Sequence, residues 1–150
     1  MKIGIVGAGK VGGTIATLLE SSKFCKTVML ADARENVDLS GLKKSKFVRV
    51  DVNVAKQLGA FVGQVDAIAS AAPYFLNRTI ASACAKAGVS YFDLTEDVET
   101  TAFVQRLAAK TPQVTFMPQC GLAPGAINIV GGSLASSLKF VRQCEMRVGA

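Results

Sequence analysis

The run Gly7-Ala8-Gly9-Lys10-Val11-Gly12 follows an apolar stretch, Ile3-Gly4-Ile5-Val6, and Asp32 ends the next apolar stretch about 20 residues beyond Gly12. Glycines at this spacing suit the binding of a pyrophosphate. Gly7 permits a tight turn, and Gly9 lets backbone approach phosphate oxygens with no Cβ between them. Gly12 lets the following helix pack closely on its strand. The unpaired N–H groups and positive dipole end of that helix, which Lys10 and Val11 open, then face the anion. Ile3, Ile5 and Val6 before the turn form a buried-strand pattern, and Val11, Ile15, Leu18 and Leu19 after it follow helical spacing. Asp32 is placed to accept from both adenosine ribose hydroxyls, which favours NAD. A 2′-phosphate would bring like charges together at a cost of about 4 kcal/mol per pair at ~4 Å. Arg34 could swing over to neutralise such a phosphate, so NADP stays open. Asp32 as a helix cap is compatible with either.

Later apolar runs also end in residues able to bind or react. Asp51 follows Phe47-Val48-Arg49-Val50, where its carboxylate can accept the adenine amino hydrogens or cap the helix starting near Val54. In Ser70-Ala71-Ala72-Pro73-Tyr74, the small Ala71 and Ala72 let a cofactor lie across the strand ends, and Pro73 stiffens the turn. Tyr74 and Phe75 border a nicotinamide pocket or join the core. Asp93, Glu96 and Asp97 crowd the end of the fifth run, where gathered carboxylates supply a proton donor or acceptor. Capping of the next helix is the better account of Asp97, which leaves Asp93 and Glu96 as candidate catalytic groups. Pro118-Gln119-Cys120-Gly121-Leu122-Ala123-Pro124-Gly125 specifies a tight backbone that could offer N–H groups to a substrate carboxylate. Cys120 is a third catalytic candidate by type. It lacks an accompanying base, so a structural or pocket-lining thiol fits it better.

These residues need strands and helices to hold them. At 150 residues, half of them hydrophobic and few aromatic, the chain suits one α/β domain with a buried core. Strands are expected over 2–6, 27–31, 47–50, 67–70, 90–94 and 114–117, and helices over 10–22, 54–60, 77–87, 98–110 and 126–138, with a shorter helical piece near 36–42. Alternation at a spacing of roughly 20–25 residues predicts right-handed crossovers and a doubly wound parallel sheet, a Rossmann-type dinucleotide-binding domain over 1–150. Residues 140–150 alternate apolar and polar like one more strand without a partner, so the chain is expected to be the N-terminal piece of a longer protein. No apolar run is long enough to span a bilayer, and the start is too short and polar for a signal peptide, which points to the cytoplasm. The net charge of +6 is dispersed, and its one cluster, Lys43-Lys44-Ser45-Lys46, reads as a solvated loop rather than a nucleic-acid contact. Histidine is absent and Cys25, Cys84, Cys120 and Cys144 lack metal-ligand spacing, so reduced thiols and no metal are expected.

Taken in order, the glycine turn, Ala72-Pro73-Tyr74-Phe75-Leu76-Asn77, Tyr91-Phe92-Asp93-Leu94-Thr95-Glu96-Asp97 and Cys120-Gly121-Leu122-Ala123-Pro124-Gly125 resemble the cofactor-binding domain of the saccharopine dehydrogenase-like family. Met146-Arg147-Val148-Gly149-Ala150 is similar to the family's strand leading into its second domain. The resemblance implies an NAD(P)-dependent oxidoreductase acting at the C–N bond of an amino acid, through imine reduction or the reverse oxidation. It implies that the glycine turn and Asp32 hold the cofactor, that residues 72–74 border its ribose and nicotinamide, and that the 120–125 turn approaches an amino-acid-type substrate. It also implies a C-terminal domain for substrate binding and dimerisation, hence a homodimeric parent and little turnover by this chain alone. Saccharopine, lysine 6-dehydrogenase and carboxynorspermidine branches share these motifs. A module that senses NAD(H) and regulates a partner without turnover is the alternative, and the segments at 93–97 and 120–125 weigh against it.

Overall fold

Short runs of Val, Ile, Leu and Ala bury both faces only when they lie side by side beneath helices. The computed structural model, which describes residues 1–35 and 37–149, has that arrangement. In chain order the elements are β1 (Lys2–Val6), α1 (Lys10–Glu20), β2 (Thr27–Asp32), β3 (Ser45–Arg49), α2 (Ala55–Val62), β4 (Ala67–Ser70), a single 3-10 turn (Tyr74–Leu76), α3 (Asn77–Ala87), β5 (Ser90–Asp93), α4 (Val98–Lys110), β6 (Phe116–Met117) and α5 (Ala126–Ser136). Their types and order follow the sequence pattern, with most ends moved by no more than about two residues.

The strands form one sheet in the order β3-β2-β1-β4-β5-β6, parallel throughout. Register places Val6 beside Ala31 and Ser70, Asp32 beside Arg49, and Ser70 beside Asp93. The carboxyl ends therefore share one edge. The chain first runs outward through β2 and β3, then returns to place β4 on the other side of β1. The crevice between β1 and β4 is the switch point at which such sheets bind ligands. Alternation of side chains divides the core between the two faces. Ile3, Ile5, Val28 and Leu30 pack with Ala16 on one face. Val6, Ile68 and Tyr91 pack with Phe61, Ile80 and Val104 on the other.

Three expectations change in the structure. The face of α1 turned to the sheet carries Gly12 and Ala16, with Ile15 and Leu19 beside them, whereas Val11 and Leu18 are exposed. Close approach of Gly12 to the strand rotates the small-residue side of the helix inward, which displaces Val11 and Leu18 from the buried stripe. Residues 37–42 form no helix. The Leu42 N–H closes a turn on the Leu39 carbonyl at 3.0 Å, and Val37, Leu39 and Leu42 pack as a loop against the core. Asn36 lies outside the described residues. Residues 140–149 form no strand either, because β6 already flanks β5 and nothing in the sheet pairs with them. Among the described residues no helix is long and apolar enough to cross a membrane.

Candidate functional site

The glycine turn leaves β1 at the switch point, and the structure separates the roles of its glycines. Gly7 has φ +97°, in the left-handed region, and a Cβ there would lie 2.6 Å from the Ala71 carbonyl oxygen. Its N–H donates to the Ala31 carbonyl at 2.8 Å. A Cβ on Gly12 would land on the Gly7 carbonyl oxygen. Gly9 is different. Its backbone is extended, and the nearest atom a Cβ would meet is the Arg34 guanidinium at 3.9 Å. Gly9 also heads α1 with no side-chain cap and no acidic residue in the first turn. The fold thus accounts for Gly7 and Gly12. It leaves an open, uncapped helix start in front of Gly9, Lys10 and Val11, which fits an anionic pyrophosphate.

A cavity flanks the turn on each side. One, of about 140 Å³, lies at the ends of β1, β2 and β3 and is lined by Gly7, Asp32, Asp51, Ala72 and Pro73 among others. The other, of about 470 Å³, lies toward β4 and β5 and includes Val11, Ser70, Ala71, Tyr74, Asn77 and Glu96. Ala72 borders both. Tyr74 and Phe75 are exposed rather than core, and only Tyr74 lines the larger cavity.

Asp32 is fully engaged. Its Oδ2 accepts from the Ala8 N–H at 2.9 Å and Arg34 Nη2 at 2.8 Å, and its Oδ1 accepts from the Arg34 N–H at 3.0 Å and Nε at 2.9 Å. The Arg34 side chain, above all, holds the carboxyl well below the usual carboxylate range despite partial burial. Asp32 caps no helix. Asp51 borders the smaller cavity, but its carboxylate does not cap α2. Oδ1 accepts from the Asn53 N–H at 2.9 Å, while the Asp51 carbonyl receives the Val54 N–H at 3.0 Å.

At the opposite edge the three catalytic candidates separate. Glu96 is exposed and lines the larger cavity. Asp93 is buried behind it, with Oδ1 accepting the Thr95 N–H at 2.9 Å and Oδ2 unpaired. Cys120 lines neither cavity. Its thiol points to the Met117 carbonyl at 3.4 Å, and burial, reinforced by the Asp93 charge, pushes it up from its ordinary value. That shift opposes nucleophilic activation. The 118–125 turn and the start of α5 use several of their N–H groups within the protein. The N–H groups of Cys120, Ala126 and Ile127 donate to the carbonyls of Asp93, Gly121 and Leu122, and that of Gly125 donates to Asn128 Oδ1.

Asp97 caps α4, accepting the Thr100 N–H at 2.7 Å, and hydrogen bonding from Thr100, first through its side chain and then through this N–H, lowers its pKa. Asp97→Ala is expected to cost about 1 kcal/mol, lowering the melting temperature by about 2–4 °C. Asp97→Asn should cost much less, because an amide oxygen still caps. Equal losses in thermal melts would mean that charge, rather than the hydrogen bond, holds the helix start. Residue type and spacing alone give the Ser70 and Asn77 side chains of the larger cavity no role. Asn77 ends the 72–77 motif, but at the first position of α3 it reads as an ordinary helix start.

Comparison with known proteins places this edge in context. The family described as Saccharopine dehydrogenase NADP binding domain matches residues 3–117. Saccharopine dehydrogenase (L-Glu forming) from Saccharomyces cerevisiae superposes with a TM-score of 0.72 at 17% identity, over 90% of this chain and 31% of that one. Scyllo-inositol dehydrogenase from Lactobacillus casei, solved with NAD(H) and scyllo-inositol, gives 0.67 at 21% identity, over 91% and 41%. A uronate dehydrogenase mutant from Agrobacterium tumefaciens, complexed with NAD, gives 0.51 at 17%, over 63% and 40%. At these identities the likeness is one of fold, and the chain spans only about a third of the yeast structure's length. The family match takes in all six strands, but for Lys2 of β1, and the glycine turn, so the chain belongs to the saccharopine dehydrogenase NADP-binding domain family as an NAD(P)-binding Rossmann domain.

Proposed function

We propose that this chain is the cofactor-holding part of an oxidoreductase that acts on the C–N bond of an amino acid. The observation that carries the cofactor assignment is Gly9, whose open face at an uncapped helix start lies between two cavities. The backbone from Gly9 to Gly12 receives the pyrophosphate, and Asp32 receives the adenosine ribose once Arg34 moves aside. Asp51 and Pro73 border the adenine side. Ala71, Ala72 and Tyr74 border the nicotinamide side, where Glu96 is the carboxylate best placed to exchange a proton with substrate. The bound dinucleotide supplies hydride transfer, and the protein supplies position and electrostatics. NAD(H) is the preferred cofactor because Asp32 belongs at the ribose hydroxyls.

The C–N specificity rests on the family, and the inositol and uronate dehydrogenases show that the fold serves other substrates. The parent is a homodimer with a second domain that completes the substrate site. The exposed Ile129, Val130 and Leu134 of α5 support such a covering partner. Free thiols at Cys25, Cys84, Cys120 and Cys144 suit a cytoplasmic setting. The test is the full-length protein with oxidised NAD and lysine-, saccharopine- or polyamine-related amino acids. At least one should generate reduced-nicotinamide absorbance. Tight cofactor binding with no turnover of any of them would instead favour an NAD(H) sensor.

A further inference from the structure

The larger cavity has a polar floor for which the fold provides no complete set of partners. Ser70 ends β4 and Asn77 opens α3; each is only 2% exposed, and both line the cavity. The Ser70 hydroxyl donates to Asn77 Oδ1 at 2.7 Å, which orients the amide and leaves its Nδ2 hydrogens directed elsewhere. Among the described residues Nδ2 makes no hydrogen bond to the protein, and the Tyr91 hydroxyl lies 3.5 Å from the Asn77 backbone carbonyl. A side chain this deeply buried seldom leaves a donor unused, and a ligand oxygen would recover the lost bond.

The walls indicate which oxygen. Glu96 and Asp97 stand at the cavity and, among the described residues, no cation lines it, so a phosphate is repelled there and a neutral or positively charged ring is tolerated. The Asp32 cavity lies across Ala72. A dinucleotide with its pyrophosphate on α1 and its adenosine beside Asp32 therefore brings its nicotinamide end to Ser70 and Asn77. We infer that Asn77, oriented by Ser70, donates a hydrogen bond to the nicotinamide carboxamide oxygen and so fixes how the ring lies in the cavity. This rests on the dinucleotide assignment above and adds a residue that selects the ring.

Calorimetric titration of this chain with oxidised NAD and with ADP-ribose, which lacks the nicotinamide, tests it. Asn77→Ala should weaken NAD binding about three- to tenfold, the worth of one hydrogen bond, and leave ADP-ribose binding unchanged. Ser70→Ala keeps the amide but frees it, and should give a smaller loss for NAD alone. That variant carries the test if Asn77→Ala fails to fold. Unchanged NAD affinity, or equal loss of both ligands, overturns the role assigned to Asn77. If the unsubstituted chain binds neither ligand, the dinucleotide assignment falls and takes this inference with it, an outcome visible before any variant is made.

Discussion

Replacing Gly9 with leucine is expected to weaken NADH binding at least about a hundredfold while lowering the melting temperature by no more than about 4 °C. The two effects separate because the space beside Gly9 holds no backbone atom for a side chain to strike, and its extended conformation is open to any residue. The stability cost is the loss of a favourable cap residue, about 1 kcal/mol. The binding cost is larger because leucine would occupy the ground in front of the α1 amides that phosphate oxygens need. Gly12→Ala should do the reverse in the first instance. Its Cβ would collide with the Gly7 carbonyl, and overpacking of this kind costs about 1–3 kcal/mol. Thermal melts and calorimetry on the two variants distinguish a glycine kept for the fold from one kept for the ligand. Normal NADH binding by Gly9→Leu would remove the pyrophosphate assignment.

The Asp32–Arg34 pair should set the choice between cofactors in opposite directions. Arg34 supplies three of the hydrogen bonds received by Asp32, so ribose hydroxyls gain the carboxylate only by displacing it. Arg34→Ala is therefore expected to tighten NADH, by no more than about fivefold, because an ion pair with so exposed a guanidinium is worth about 1 kcal/mol at most. The same change should weaken NADPH, whose 2′-phosphate would face Asp32 alone. Asp32→Ser should weaken NADH about tenfold and strengthen NADPH, since it removes the opposing charge and releases Arg34. Calorimetric titrations at one ionic strength measure all four affinities. Parallel changes for both cofactors would show that the pair does not discriminate the 2′ position.

The site was unevenly legible. Gly7, Gly12 and Asp32 combine residue type with fixed spacing, so their sequence positions already implied a strand, a turn and a helix. Val11 and Leu18 satisfied the same helical period yet lie outside the buried stripe, because a glycine contact one residue away decides which side of α1 meets the sheet. Apolar spacing near 36–42 predicts a helical piece, yet residues 37–42 pack as a loop; spacing records which side chains are apolar and does not record the backbone path between them. Residue type alone makes Asp93 and Glu96 candidates at the end of the fifth run, and Cys120 a weaker one in the 118–125 turn. Packing then placed Glu96 beside the cavity, Asp93 behind it and Cys120 away from it.

By itself the sequence determined what depends on local backbone chemistry and on repeated alternation: the parallel α/β architecture, the glycine turn at its switch point and the acid closing β2. Only the tertiary structure decided that Gly9 faces open space while Gly7 and Gly12 are pressed against backbone. It alone placed Arg34 on Asp32 and brought Ser70 and Asn77 to the floor of one cavity. Turn and strand propensities act over a few residues, whereas exposure, charge pairing and the satisfaction of a buried amide depend on which distant segments the closed sheet brings together.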